Sequence, residues 1–258
     1  RVVQARITVA PLAAFGLSLA IRQAFWIGWI RTFANQIGPL AGTAAYGQAI
    51  RTQVSIAWSQ LAALVVPQYL IAACAMSLLG LFACGIGAVE AKGAMLMLCG
   101  GYSLILLGAS ALTLRGSLLL VFASKLASPR LSDAADALDG LTGRPALLVE
   151  LLALHAVAVI MRGSRIAMMF AMSGTDLTGS QVILVIVLAE SSGLLQVTPG
   201  GLGLREGAVL AGATLVGAPL QTAVAVAIAD RLLTVCLTAL LVVPAFLSLN
   251  GSRPPAPD

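Results

Sequence analysis

Ten consecutive residues near the C-terminal end carry the densest chemistry of the chain: Thr198-Pro199-Gly200-Gly201-Leu202-Gly203-Leu204-Arg205-Glu206-Gly207. The closely spaced glycines let the backbone turn tightly and leave its amides open, and Arg205 with Glu206 then start a short helix. A helix N-terminus with bare N–H groups beside an arginine is an anion site. The spacing fails the G-x-G-x-x-G dinucleotide fingerprint, and no strand pattern precedes it. The plainer alternative is an interfacial loop joining two membrane spans.

Three more ionisable residues lie inside apolar sequence, where a charge costs about 2.5–3.5 kcal/mol at the bilayer centre and is kept only when paired or useful. Glu190 precedes Thr198 by eight residues, roughly 12 Å along a helix, with Ser191, Ser192 and Gln196 giving that end of the helix a polar character. Asp230 and Arg231 separate two charge-free runs, 207–229 and 232–252. Such charges either form buried ion pairs that fix helix register or line a polar cavity. Under the cavity reading the substrate-binding set is Pro199, Gly200, Gly201, Gly203, Arg205, Glu206, Glu190, Asp230 and Arg231, with no catalytic residue, no metal ligand and no cofactor expected. His155, the single histidine, has no Ser or Cys partner at a motif spacing and reads as a packed polar residue. Neither GxSG nor HExxH occurs, so an intramembrane hydrolase is unsupported.

The elements that must position these groups follow from composition. Of 258 residues, 59% are apolar and 10% charged, against about 25% charged in soluble domains. Charge-free runs at 52–89, 93–114, 207–229 and 232–252 each reach the length of a membrane-crossing helix. The expectation is an all-α, polytopic transmembrane bundle of about six to eight spans, with broken or re-entrant helices at the Pro-Gly loops. One domain covers 1–250, and 251–258 is a short polar tail with three prolines, too small to fold. The chain opens on Arg1 instead of Met, which leads to the expectation of residues upstream. A nucleic-acid module, a secreted disulfide scaffold, a Rossmann enzyme and a transmembrane β-barrel are all excluded. The net charge of +5, from 15 basic and 10 acidic residues, reads as membrane topology. Four cysteines without a CxxC read as small core residues. Thirteen of the 15 basic residues are arginine, a composition that points to a GC-rich bacterial genome.

Along the chain, 10–30 reads as a first span interrupted by Arg22, with Trp26 and Trp29 as interface anchors. A Gly-rich polar stretch, Asn35 to Arg51, follows. The run 52–89 would be about 57 Å as one straight helix, too long for a single crossing, and Pro67 predicts its break. Glu90 and Lys92 mark a turn before 93–114. In the connection 115–145, Ser132 caps an interfacial helix whose Asp133, Asp136 and Asp139 share one solvated face, with a cation site as the functional alternative; its basic residues place it on the cytoplasmic side. A span from Ala146 to Met161 or beyond ends at Arg162 and Arg165, the next covers 177–198, and Pro219 opens a long final helix to Leu249. There is also an internal echo: Gln36, Pro39 and Gly47 match Gln196, Pro199 and Gly207 at an offset of 160 residues. Interrupted helices at corresponding places of two repeats point to a substrate site at the repeat interface.

The stretch Leu195 to Glu206, with Gly217 and then Ala229-Asp230-Arg231, resembles the C-terminal signature of the lysylphosphatidylglycerol synthase transmembrane family, also called flippase-like domain proteins. Pro199, Gly200, Gly201, Gly203, Glu206 and Arg231 match that signature position for position. Asn35, Gln36, Pro39, Gly42 and Arg51 resemble the family's first Asn/Pro/Gly element. Where members often carry a Glu-Arg pair in the following helix, this chain has Pro67-Gln68. The resemblance implies a multi-pass domain of the bacterial inner membrane that moves or presents lipid-linked substrates such as aminoacylated phospholipids or glycolipids. Fused members continue into a soluble catalytic domain. This chain ends in Pro-Ala-Pro-Asp, so aminoacyl transfer is not expected of it.

The leading expectation is therefore a non-enzymatic lipid translocase or lipid-binding domain for an anionic, aminoacylated or glycosylated lipid. Arg231, Arg205 and the amides of Gly200 to Gly203 would hold the headgroup while Glu206, Glu190 and Asp230 balance charge or engage an amine. Membrane lipids are the expected partners, together with a lipid or polysaccharide synthase, and nucleic acid is not. The alternatives are a membrane-embedded glycosyl- or phosphotransferase using Asp133, Asp136 and Asp139, and a non-catalytic accessory subunit of a lipid or cell-envelope synthase.

Overall fold

The computed structural model of the chain describes residues 1–38, 40–56, 58–86, 143–193 and 198–251, together with 100, 101, 103, 104 and 108. Most of the 93–114 span, the interfacial helix expected around Asp133, Asp136 and Asp139, the echo residues Pro39 and Gln196, and the tail beyond Gly251 lie outside the described residues.

Every described element is helical: α1 (Val2–Ala14), α2 (Ile21–Ile37), α3 (Ala41–Val54), α4 (Trp58–Gly85), α5 (Pro145–Met172), α6 (Gly179–Ser192), a 3-10 turn at Pro199–Gly201, α7 (Leu204–Leu215) and α8 (Leu220–Asn250). Pro67–Gly85 within α4, α5 and α8 are each long and apolar enough to cross a membrane. Protein covers only 28% of the most apolar window of α5 and 22% of that of α8. Val157, Ile160 and Met168 on α5, and Leu240, Val243 and Leu247 on α8, are exposed. A soluble monomer would not carry so extended an apolar surface; a bundle facing acyl chains does. The chain is a multi-pass helical membrane protein.

Four of the remaining helices, α2 with α3 and α6 with α7, form two antiparallel hairpins. At 17 and 14 residues, α2 and α3 measure about 26 and 21 Å; at 14 and 12 residues, α6 and α7 measure about 21 and 18 Å. Each is shorter than a ~30 Å hydrocarbon core, and each pair turns back on itself. In the first hairpin the Gln23 side chain donates to Gln53 at 2.8 Å near the open end, and Asn35 meets Gly42 near the turn. A Cβ on Gly42 would lie 2.0 Å from Asn35 Oδ1, so only glycine permits this approach. The second hairpin repeats the plan: Gln181 donates to the Val216 carbonyl at 3.3 Å, and a Cβ on Gly212 would lie 2.9 Å from Cα of Val185. Of the echoed positions, Gln36 falls in the last turn of α2 and Pro199 in the 3-10 turn before α7.

Each hairpin has its own apolar cluster. Ile27, Ile30, Tyr46 and Ile50 pack with Ala245 and Leu249 from the far end of α8. Ile166, Phe170, Val185, Ile186 and Val209 pack with Ala223, Val226 and Ala227 from its beginning. Asp230 and Arg231 follow directly on the α8 segment that serves the second cluster and precede the segment that serves the first.

Several sequence expectations move. The break expected at Pro67 falls at Ser55, which has left-handed backbone (φ 52°) and donates its N–H to Arg51 O at 3.0 Å. Pro67 sits inside α4. Arg51 fixes the corner, donating to the Ile56 carbonyl at 3.0 Å and stacking over Trp58 at 4.7 Å. The run 10–30 is split between α1 and α2, with Gly16 at φ +76° ending the first. Trp29 is no interface anchor: it is 8% exposed and belongs to the first core cluster. Arg162 and Arg165 do not end a span, since α5 continues through them to Met172.

Candidate functional site

Asp230 is 4% exposed, and its carboxylate meets two guanidinium groups, Arg165 at 2.5 Å and Arg205 at 3.3 Å. Glu190 is held likewise by Arg162 at 2.8 Å and Arg205 at 3.2 Å. Arg205, in the first turn of α7, therefore bridges acids from α6 and α8. Arg162 and Arg165, three apart and on one face of α5, supply the outer contacts. Burying a charge costs several kcal/mol unless it is paired, so these acids and arginines must assemble together or not at all.

The turn of the second hairpin is pinned from two sides. Arg231 Nη1 donates to the Gly200 carbonyl at 2.6 Å and lies 3.8 Å from Glu206. Gly200 has φ +59°, and a Cβ there would meet Gln36 Oε1 at 2.5 Å and Arg231 Nη2 at 2.8 Å. The last turn of α2 therefore touches the Pro-Gly turn, and the two hairpins meet at their tips.

Around this meeting point lies a cavity of about 660 Å³. Arg31, Asn35 and Gln36 of α2, Gln68 and Tyr69 of α4, and His155 of α5 line one part of it. Glu190, Arg205, Glu206, Asp230 and Arg231 line another, with Arg162 and Arg165. With Arg1 included, six arginines face three carboxylates, an excess of three positive charges. Arg31 donates to Tyr69 Oη at 2.7 Å and stacks on the rings of Tyr46 at 5.0 Å and Tyr69 at 5.6 Å. Arg1 stacks on Trp29 at 4.3 Å. Among the described residues, neither forms an ion pair with an acid.

Of the sequence-predicted site residues, Glu190, Arg205, Glu206, Asp230, Arg231, Gly200 and Gly201 come together in the cavity wall. Pro199 and Gly203 stand outside it and shape the turn. The open amides expected at Gly200 to Gly203 are largely closed. Gly201 N donates to Thr198 O at 3.0 Å, Leu202 N to Pro199 O at 3.1 Å and Gly203 N to Glu206 Oε2 at 2.8 Å. A carboxylate from the chain itself thus occupies the N-terminus of α7, and arginine side chains supply the positive field instead. His155, expected as core packing, is buried in the cavity wall.

Sequence reasoning passed over Arg31, Tyr69, Trp29, Arg162 and Arg165 as site residues. One signal was available for the first of these: no Asp or Glu precedes Glu90, while five arginines do. Arginines in that part of the chain find acids only across the fold, as Arg6 does with Glu150 at 2.9 Å, or settle on aromatic faces.

Short paired helices meeting tip to tip over an arginine-rich chamber, inside a bundle with an apolar exterior, define a polytopic helical membrane protein. The chain belongs to the family of the lysylphosphatidylglycerol synthase TM region, which it matches over residues 4–241. No curated protein and no solved structure matches it.

Proposed function

We propose that this domain binds a membrane lipid by its headgroup in the chamber between the hairpin tips and passes that headgroup between leaflets of the bacterial cytoplasmic membrane. The observation that carries the reading is the chamber itself, a positively charged space enclosed by short helical hairpins within a bundle whose outer face suits acyl chains. Polar groups would cross in the chamber while the acyl chains stay in lipid, avoiding the cost of stripping water from a headgroup in hydrocarbon. The reading is non-enzymatic. Each chamber carboxylate already faces an arginine of the chain rather than open space, which supports that reading.

Headgroup accessibility of labelled phospholipid in proteoliposomes tests the proposal. Wild type is expected to equilibrate label between leaflets, and Arg231→Ala, which frees the Gly200 carbonyl, to fall toward the rate of empty vesicles. Equal rates for wild type, Arg231→Ala and protein-free vesicles would discard the reading.

A further inference from the structure

The two parts of the chamber wall differ in how their cations are balanced, and that difference constrains the headgroup. Proteins hold a ligand ammonium with a carboxylate or with the face of an aromatic ring. In this chamber the carboxylates and three of the four aromatic rings are taken by the chain's own arginines, and the fourth ring, Phe25, packs edge-on against Trp26 and Trp29. Glu190 is held by Arg162 and Arg205, Asp230 by Arg165 and Arg205, and Glu206 by Arg231 and the Gly203 amide. The rings of Tyr46 and Tyr69 carry Arg31, and that of Trp29 carries Arg1. An arriving ammonium would meet an excess of positive charge with every described counter-group engaged.

An anion meets the opposite situation. Arg31 uses one nitrogen on Tyr69 and otherwise lies against ring faces, so N–H groups of its planar fork remain for phosphate oxygens, its natural bidentate partner. Arg31, Arg162 and Arg165 all lie within electrostatic reach of Arg1, and an anion beside Arg1 and Arg31 relieves that repulsion. Outside the ion-pair network, three polar atoms in the same wall are buried without a hydrogen-bond partner among the described residues: Trp29 Nε1, Gln36 Oε1 and His155 Nε2. Trp29 and His155 are each 8% exposed. A donor, an acceptor and an imidazole nitrogen lining one chamber suit hydroxyl groups, which both give and take hydrogen bonds.

We infer that the headgroup held in this chamber is a phosphodiester whose remaining part is uncharged and hydroxylated, a polyol or sugar phosphate, and that Arg31 is its specificity-determining residue against aminoacylated, cationic headgroups. The inference rests on the lipid-binding reading above and narrows it to one chemical class.

The test is binding of three probes to the purified full chain in detergent: dioctanoyl phosphatidylglycerol, its lysyl ester, and acyl-free glycerophosphoglycerol. The phosphatidylglycerol probe is expected to bind about tenfold or more tightly than the lysyl ester, whose two amines reverse the net charge. Arg31→Gln should remove most of that preference, and Arg31→Lys, which keeps the charge, should restore it in part. Equal or tighter binding of the lysyl ester overturns the inference and leaves the lipid reading standing. Acyl-free probe binding as tightly as the lipid supports the headgroup chemistry and overturns the lipid reading. Binding by none of the three overturns both.

Discussion

The two helical hairpins share a plan and divide the chemistry. Both are antiparallel pairs shorter than a ~30 Å hydrocarbon core, and both rely on a glycine where the helices touch. The second hairpin carries Glu190, Arg205 and Glu206, and each of these charges has a partner within 3.8 Å. The first carries Arg31 on tyrosine faces, with Asn35 and Gln36 beside it, and no acid at all. A network of paired charges links four helices; Arg31 in the same chamber has no acid partner among the described residues. On the proposed reading the second hairpin serves as frame and the first as receptor.

Removing a network acid should break that division most severely. Asp230→Ala leaves Arg165 and Arg205 short of a counter-charge in a buried place, an expected loss of about 3–5 kcal/mol. Thermal unfolding in detergent measures it, with Arg31→Gln as the contrast expected to change stability by less than about 1 kcal/mol. Comparable destabilisation by the two variants would mean that both hairpins are frame.

The contact between the tips is the next target. Gly200→Ala places a side chain at φ +59°, costing about 1–2 kcal/mol in backbone strain, and drives its Cβ into Gln36 and Arg231. Lipid exchange in proteoliposomes is expected to fall about tenfold while the chain still folds, and adding Gln36→Ala should recover part of the rate by opening space on one side. No change in exchange would show that the tips need not fit closely.

The smallest expected effect lies at the outer end of the second hairpin. Thr178 caps α6, accepting from Gln181 N at 3.4 Å, while its own N–H donates to Gln181 Oε1 at 2.8 Å. Thr178→Ala should cost about 1 kcal/mol of stability and leave lipid exchange unaltered. A large loss of exchange would extend the functional part of this hairpin beyond its tip.

The membrane helices, the Pro-Gly turn and the C-terminal charges were all legible in the chain, because each is a local property. An apolar run has a length, a Pro-Gly-Gly segment must turn, and a charge inside hydrocarbon must be accommodated. Reading Asp230 and Arg231 as cavity residues or as ion pairs left two alternatives, and the fold realises both: the pairs form the cavity wall. Trp29 misled because an aromatic near a helix end looks the same whether it meets lipid headgroups or a guanidinium. The corner of the run 52–89 at Ser55 was not legible, because it is fixed by Arg51 and Trp58 rather than by a proline.

Composition and periodic order alone thus determined a helical membrane protein with its retained charges concentrated in the last third. Only the tertiary structure decided which charges are spent on one another and which are not. Arg162 and Glu190 are far apart along the chain, as are Arg165 and Asp230, and Arg31 is distinguished by meeting no acid among the described residues. Compensation of a buried charge is set by the few ångströms around it, and no spacing along a single chain encodes that distance.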